Sequence, residues 1–287
     1  MTTSYRTDHD TASSGDVGSD SAARFAREHP GLVKLGRLGW AAKGVVYMLT
    51  GLLALSIAIS TEGGNGSNGG DEASQSGAIA QIAESTGGAL LLYVIAAGLV
   101  LYSLWRIISA LLPSDTSATS WANRIGYLVS AATYLLLAFT AFSFARSSGS
   151  GQESEDSKIE SFTADLLGQS YGQQLVFAVG AVLLVVAAAF AWKAWTASFE
   201  DQLAPGGVGP VSHRTLITMG RIGWAGRTVM MGLIGFFICR AAVRFNPDDA
   251  QGLDGSLRKV ATTDFGMLLV LAVAVGLFVY GAFCLIS

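Results

Sequence analysis

Six stretches of this chain are long and apolar enough to cross a membrane, at about 35–60, 89–112, 125–145, 175–197, 222–241 and 265–286. Spanning about 30 Å of hydrocarbon takes about 20 helical residues, and each run supplies that length. None of them contains an Asp or a Glu. In lipid each must be a helix, because an isolated strand would leave its backbone amides unpaired. Composition points the same way: 51% of the residues are hydrophobic and 14% are charged, well short of the roughly 25% charge of a water-soluble domain. A net charge of −3 gives no basic surface for nucleic acid.

The runs are not independent of one another. A phrase of arginine, aliphatic residue, glycine and aromatic residue opens the first, third and fifth: RLGW from Arg37, RIGY from Arg124 and RIGW from Arg221. The 87 residues that separate Arg37 from Arg124 also separate Trp105 from Trp192 and Arg106 from Lys193. The period therefore covers a whole helical hairpin rather than a short motif. The last run matches the second in Gly266, Gly276 and Tyr280 against Gly88, Gly98 and Tyr102. The expected fold is an all-α, polytopic membrane protein whose six transmembrane helices form three tandem two-helix repeats. A disordered cytoplasmic tail over 1–33 is followed by repeats over 34–112, 121–197 and 218–286.

Orientation follows from the basic residues. Arg24, Arg27, Lys34 and Arg37 gather ahead of the first helix, whereas the linker after it has no Lys or Arg. With the N-terminus in the cytoplasm, 12 of the 18 Lys and Arg residues fall on that side, as the positive-inside rule requires. Both termini are then expected in the cytoplasm. Each segment after a phrase-bearing helix carries a small apolar stripe: Ile79, Ile82 and Ala83; Phe162, Leu166 and Leu167; Leu253, Leu257 and Val260. These predict three short helices lying at the interface. Glu153, Glu155 and Asp156 read as a solvated charge run, and 199–219 as a loop rich in Pro and Gly.

Three hairpins that each open on Arg-aliphatic-Gly-Trp/Tyr and place a Gly before the second helix resemble the actinobacterial membrane proteins grouped as domain of unknown function 1206. The resemblance covers about 34–286 and implies a six-span integral protein of the plasma membrane. It brings no activity with it. The copies differ where a threefold site would need them alike: Ser130 stands where the others have Lys43 and Arg227, and Phe283-Cys284 near where Trp-Arg or Trp-Lys closes the second helix.

Candidate binding residues come from the phrase itself. Arg37, Arg124 and Arg221 stand at helix ends, where they can snorkel to lipid phosphate beside Trp40, Tyr127 and Trp224. Turned inward instead, they would form a basic basin for an anion, since guanidinium groups fork onto phosphate or carboxylate. Lys43 and Arg227 lie about 9 Å deeper along the axis, where a base must snorkel or face a polar interior. Trp105, Arg106, Trp192 and Lys193 read as interfacial anchors. Trp40 and Tyr47 share a face of the first helix, and Tyr127 and Tyr134 the same face in the second copy, as packing residues or as the lining of a lipid or isoprenoid groove.

Catalytic groupings are not found. His9 and His29 lie in the tail and His213 in a loop, so no helix-borne metal pair forms, and Cys239 and Cys284 read as packing residues. No catalytic residue, metal or cofactor is expected. The functional expectation is a non-enzymatic membrane protein that meets lipid headgroups or a membrane partner protein through a basic cytoplasmic rim. The alternative is a transporter or channel for an anionic or amphiphilic solute, with those bases lining an inner vestibule.

Overall fold

The computed structural model describes residues 30–62, 72–111, 118–146, 154–197 and 212–286, with backbone alone at 30–38, 60–62, 118–120 and 122–123. Most of the expected tail, the loop tip at 63–71, Glu153 and the Pro/Gly-rich 198–211 lie outside the described residues. Six long helices correspond to the apolar runs: α1 (Pro30–Glu62), α3 (Gly88–Leu111), α4 (Ala118–Arg146), α6 (Gly172–Thr196), α7 (His213–Arg244) and α9 (Gly266–Ile286). Between the members of each hairpin sit the short helices α2 (Gln75–Glu84), α5 (Glu155–Leu167) and α8 (Leu253–Ala261). The described residues contain no strand, and each of the six long helices is apolar enough to cross a membrane.

One expected loop is shorter than the Pro and Gly content suggested. Over 199–219 the chain is helical from His213 onward, because Leu216 is fully buried and extends the apolar face of α7 by two turns. The helix ends at Phe245, a left-handed residue whose N–H bonds back to the carbonyls of Ala241 and Ala242.

Glycine sets the closest approaches. A Cβ at Gly51 would lie 2.6 Å from the Phe278 backbone nitrogen, and one at Gly226 would lie 2.6 Å from the Gly276 Cα. Glycine lets α1 and α7 pack backbone to backbone on α9, which is how helices associate where no hydrophobic force drives them together. In sequence around the bundle, α4 packs on α3, α3 on α1, α1 on α9, α9 on α7 and α7 on α6. The hairpins of the first and third repeats are closed pairs, α1 with α3 and α7 with α9. The hairpin of the second is open, for α4 and α6 have no comparable packing on each other.

The short helices do not lie on the bundle as interfacial helices would. Ile79 and Leu257 are completely buried, and α2 packs among α1, α3 and α4. The Thr50 hydroxyl, midway along α1, donates to the Ser74 carbonyl at the start of α2. Only α5 keeps an exposed apolar side chain of the expected kind, Phe162. The reason is that each short helix is held by a carboxylate from a neighbouring repeat. The Glu155 N–H, at the start of α5, donates to Glu72 Oε1 at 2.8 Å. The Gly252 and Gly255 N–H groups, at the start of α8, donate to Asp156 at 2.5 and 2.7 Å. The Ala73 N–H, ahead of α2, donates to Asp254 Oδ1 at 2.9 Å. Repeat one therefore holds repeat two, two holds three, and three returns to one. Helix N-termini carry unpaired N–H groups and partial positive charge, so carboxylates there are stabilising.

This ring replaces the solvated charge run expected for Glu155 and Asp156. Burial raises the carboxyl values of Glu155 and Asp156 above the usual range, and it pushes Glu72 up to about 7. Nearby, Arg240, Arg244 and Lys259 converge on the largely buried Asp249. Three basic residues of the third hairpin thereby share one internal carboxylate.

Candidate functional site: buried cations in an aromatic cluster

The site lies at the end of the bundle opposite the short helices. Lys43 projects from α1 at the second turn after the phrase and is 3% exposed. Its Nζ donates to Tyr280 Oη on α9 at 2.8 Å and lies 3.4 Å from Tyr102 Oη on α3. It also sits 5.1–5.9 Å from the ring centroids of Trp40, Tyr47, Tyr102, Tyr134 and Tyr280. Five rings from four helices thus surround one ammonium.

Arg227, the third repeat's counterpart of Lys43, meets it at the same phenol. Its Nη1 donates to Tyr280 Oη at 2.9 Å, and its guanidinium carbon lies 4.5 Å from the Phe190 ring centroid and 4.9 Å from that of Trp224. Arg106 and Lys193, expected as interfacial anchors, also contact this cluster. Arg106 donates from Nε and Nη2 to Tyr102 Oη at 2.8 and 2.6 Å, and Lys193 Nζ lies 5.3 Å from the Trp224 ring centroid.

The remaining sequence-derived candidates divide. Tyr127 carries the Arg106 guanidinium over its ring at 5.2 Å. Arg124 stacks on Trp121 at 5.5 Å. Arg221 is exposed, as is Trp192, and Trp105 is half-buried. The Arg37 side chain lies outside the described residues. The phrase arginines therefore do not form a common basin among the described residues, whereas the deeper pair, Lys43 and Arg227, converges.

Counting donors and acceptors shows what the cluster can do. Lysine, arginine and the indole N–H only donate, and the available acceptors are phenol oxygens. Tyr102 and Tyr280 each already receive two cationic groups. Arg227 Nε and Trp224 Nε1 are buried without a hydrogen-bond partner among the described residues. No carboxylate occurs in any of the six apolar spans. Cation–π contacts contribute about 0.5–2 kcal/mol each, against an effective penalty of several kcal/mol for removing each ion from water. The rings ease that penalty but leave the net positive charge in place.

Sequence reasoning reached half of this. Lys43, Trp40, Trp224 and Arg227 came from the repeated phrase. Tyr102 and Tyr280 appeared only as matching positions of the second helices, and Phe190 gave no signal. The available clue was Tyr102 followed by Arg106 one turn later, since residues i and i+4 share a helix face.

A bundle of three tandem hairpins with six membrane-length helices and a carboxylate-free cationic interior defines a multi-pass membrane protein. The model of the family described as Domain of Unknown Function (DUF1206) matches three times, over 38–112, 125–197 and 222–287. The chain belongs to that family. It is also 30% identical over 261 residues to a protein of Bacillus subtilis (strain 168) whose printed name is "Uncharacterized protein YxxB", with 90% of each chain covered. No solved structure matches the chain.

Proposed function

We propose that this protein binds an anionic group inside its helix bundle, at Lys43 and Arg227, in a binding or transport role rather than a catalytic one. The observation that carries the reading is the imbalance of the cluster: cations and buried free donors converge where the spans hold no carboxylate. Phosphate or carboxylate oxygens accept several N–H donors at once, which is the complement such a cluster lacks. The functional centre is then the interior rather than the basic rim. The exposed Arg221 favours a second, lesser contact with lipid headgroups at that rim.

Binding of inorganic phosphate and of a short-chain alkyl phosphate to the detergent-purified full chain, followed by calorimetry, tests the reading. Charge-assisted hydrogen bonds of about 1.5–3 kcal/mol each predict that Lys43→Met and Arg227→Met weaken binding by about 10- to 100-fold. Equal binding by both variants and the unaltered protein would refute the assignment. So would the absence of any phosphate binding.

A further inference from the structure

We infer that the anion is the head of a phosphate-bearing membrane lipid, whose tail lies in the open seam between α4 and α6. The inference rests on the anion-binding reading above and adds the ligand's class and its route of entry. Three observations carry it.

The first is where the bundle is open. Two hairpins are closed pairs and the second is not, yet both of its helices reach the cluster. Tyr134 of α4 packs edge-on against Tyr102 at 4.8 Å, and Phe190 of α6 packs edge-on against Trp224 at 5.1 Å. Both helices of the open hairpin therefore border the cluster.

The second is what the repeat puts there. At the Lys43 and Arg227 position the second repeat has Ser130, and at the Tyr102 and Tyr280 position it has Ala189. Tyr102 and Tyr280 are buried, whereas Ala189 is exposed. In this repeat alone, neither position carries a cationic or phenolic side chain.

The third decides the occupant. Exposed Leu135, Leu136 and Phe139 on α4 and Val182 and Val185 on α6 give the open hairpin an apolar surface. A second copy of this chain could cover such a surface, but its spans contain no Asp or Glu, so it could not neutralise Lys43 and Arg227. A lipid with a phosphate head satisfies both requirements, and it reaches the seam from the bilayer without crossing the short helices that plug the other end.

The test uses the full chain reconstituted in vesicles of phosphatidylcholine doped with phosphatidic acid. It is then extracted into mild detergent and examined by native mass spectrometry, with inorganic phosphate binding measured in parallel. The unaltered protein should retain one phosphatidic acid in preference to phosphatidylcholine. Ala189→Trp and the milder Ala189→Leu should lose that lipid in graded fashion, by about tenfold for Trp, while inorganic phosphate binding stays unchanged. Lys43→Met should weaken the binding of both ligands by about 10- to 100-fold. Phosphate binding without any preference for phosphatidic acid, or retention of the lipid by both Ala189 variants, overturns the lipid-seam inference and leaves the anion site standing. A lipid-free dimer that buries α4 and α6 also overturns it. Loss of all phosphate binding in the unaltered protein overturns the anion site itself.

Discussion

The two ends of this bundle handle buried charge in opposite ways. At the capped end Glu72, Asp156 and Asp254 each meet backbone N–H groups of a neighbouring repeat, and Asp249 gathers three cations. At the other end Lys43, Arg106 and Arg227 share two phenols and several aromatic faces, with no carboxylate bonded to them among the described residues. The difference separates holding a structure together from holding something else. A charge whose partners lie within the fold stabilises the fold, whereas a charge buried without a counter-ion costs stability until a ligand supplies one.

Substitutions at the two ends should therefore behave differently. Asp156→Ala removes two charge-assisted bonds to the start of α8, and should lower stability by about 2–3 kcal/mol. Detergent-phase thermal or denaturant unfolding measures it; a neutral result would mean the ring is incidental. Glu72→Gln sharpens the same comparison through pH. With its carboxyl raised to about 7 from a free value of 4.5, folded Glu72 holds a proton that the unfolded chain has already released. Stability should thus fall as pH rises across that window. Gln keeps an acceptor for the Glu155 N–H and should flatten the slope between these pH values; an unchanged slope would assign it to other groups. Lys43→Met is the smallest expected effect on folding. It removes a cation without an internal counter-charge, so unfolding in the absence of ligand should shift by less than about 1 kcal/mol, in either direction. A large loss would make Lys43 a structural residue.

How much of this was legible in the sequence depends on the range of the interaction. The six spans and three repeats follow from residues acting locally, since an apolar run of sufficient length admits only a helix in lipid. The short helices were also visible, as stripes around Ile79, Leu166 and Leu257, but their burial was not. Their position depends on Asp156 bonding Gly252 and Gly255, almost a hundred residues further along the chain. Lys43 and Arg227 stood out because bases at that depth are costly. Nothing local could show that α9 brings Tyr280 between them, or that Arg106 and Lys193 contact the cluster. The open hairpin was hinted at by Ser130, yet only helix packing shows that its two helices stand apart.

Ser130→Asp tests the central claim most directly, because it places a carboxylate at the one repeat position where the base is missing. Ser130 shares a helix face with Tyr134, one turn away, whose ring lies beneath Lys43 Nζ. An acid in an apolar span ordinarily destabilises a membrane protein. Here the ligand-free melting temperature should rise and phosphate binding should vanish, because the cluster would own the negative charge it lacks. A lower melting temperature with phosphate binding intact would contradict the account.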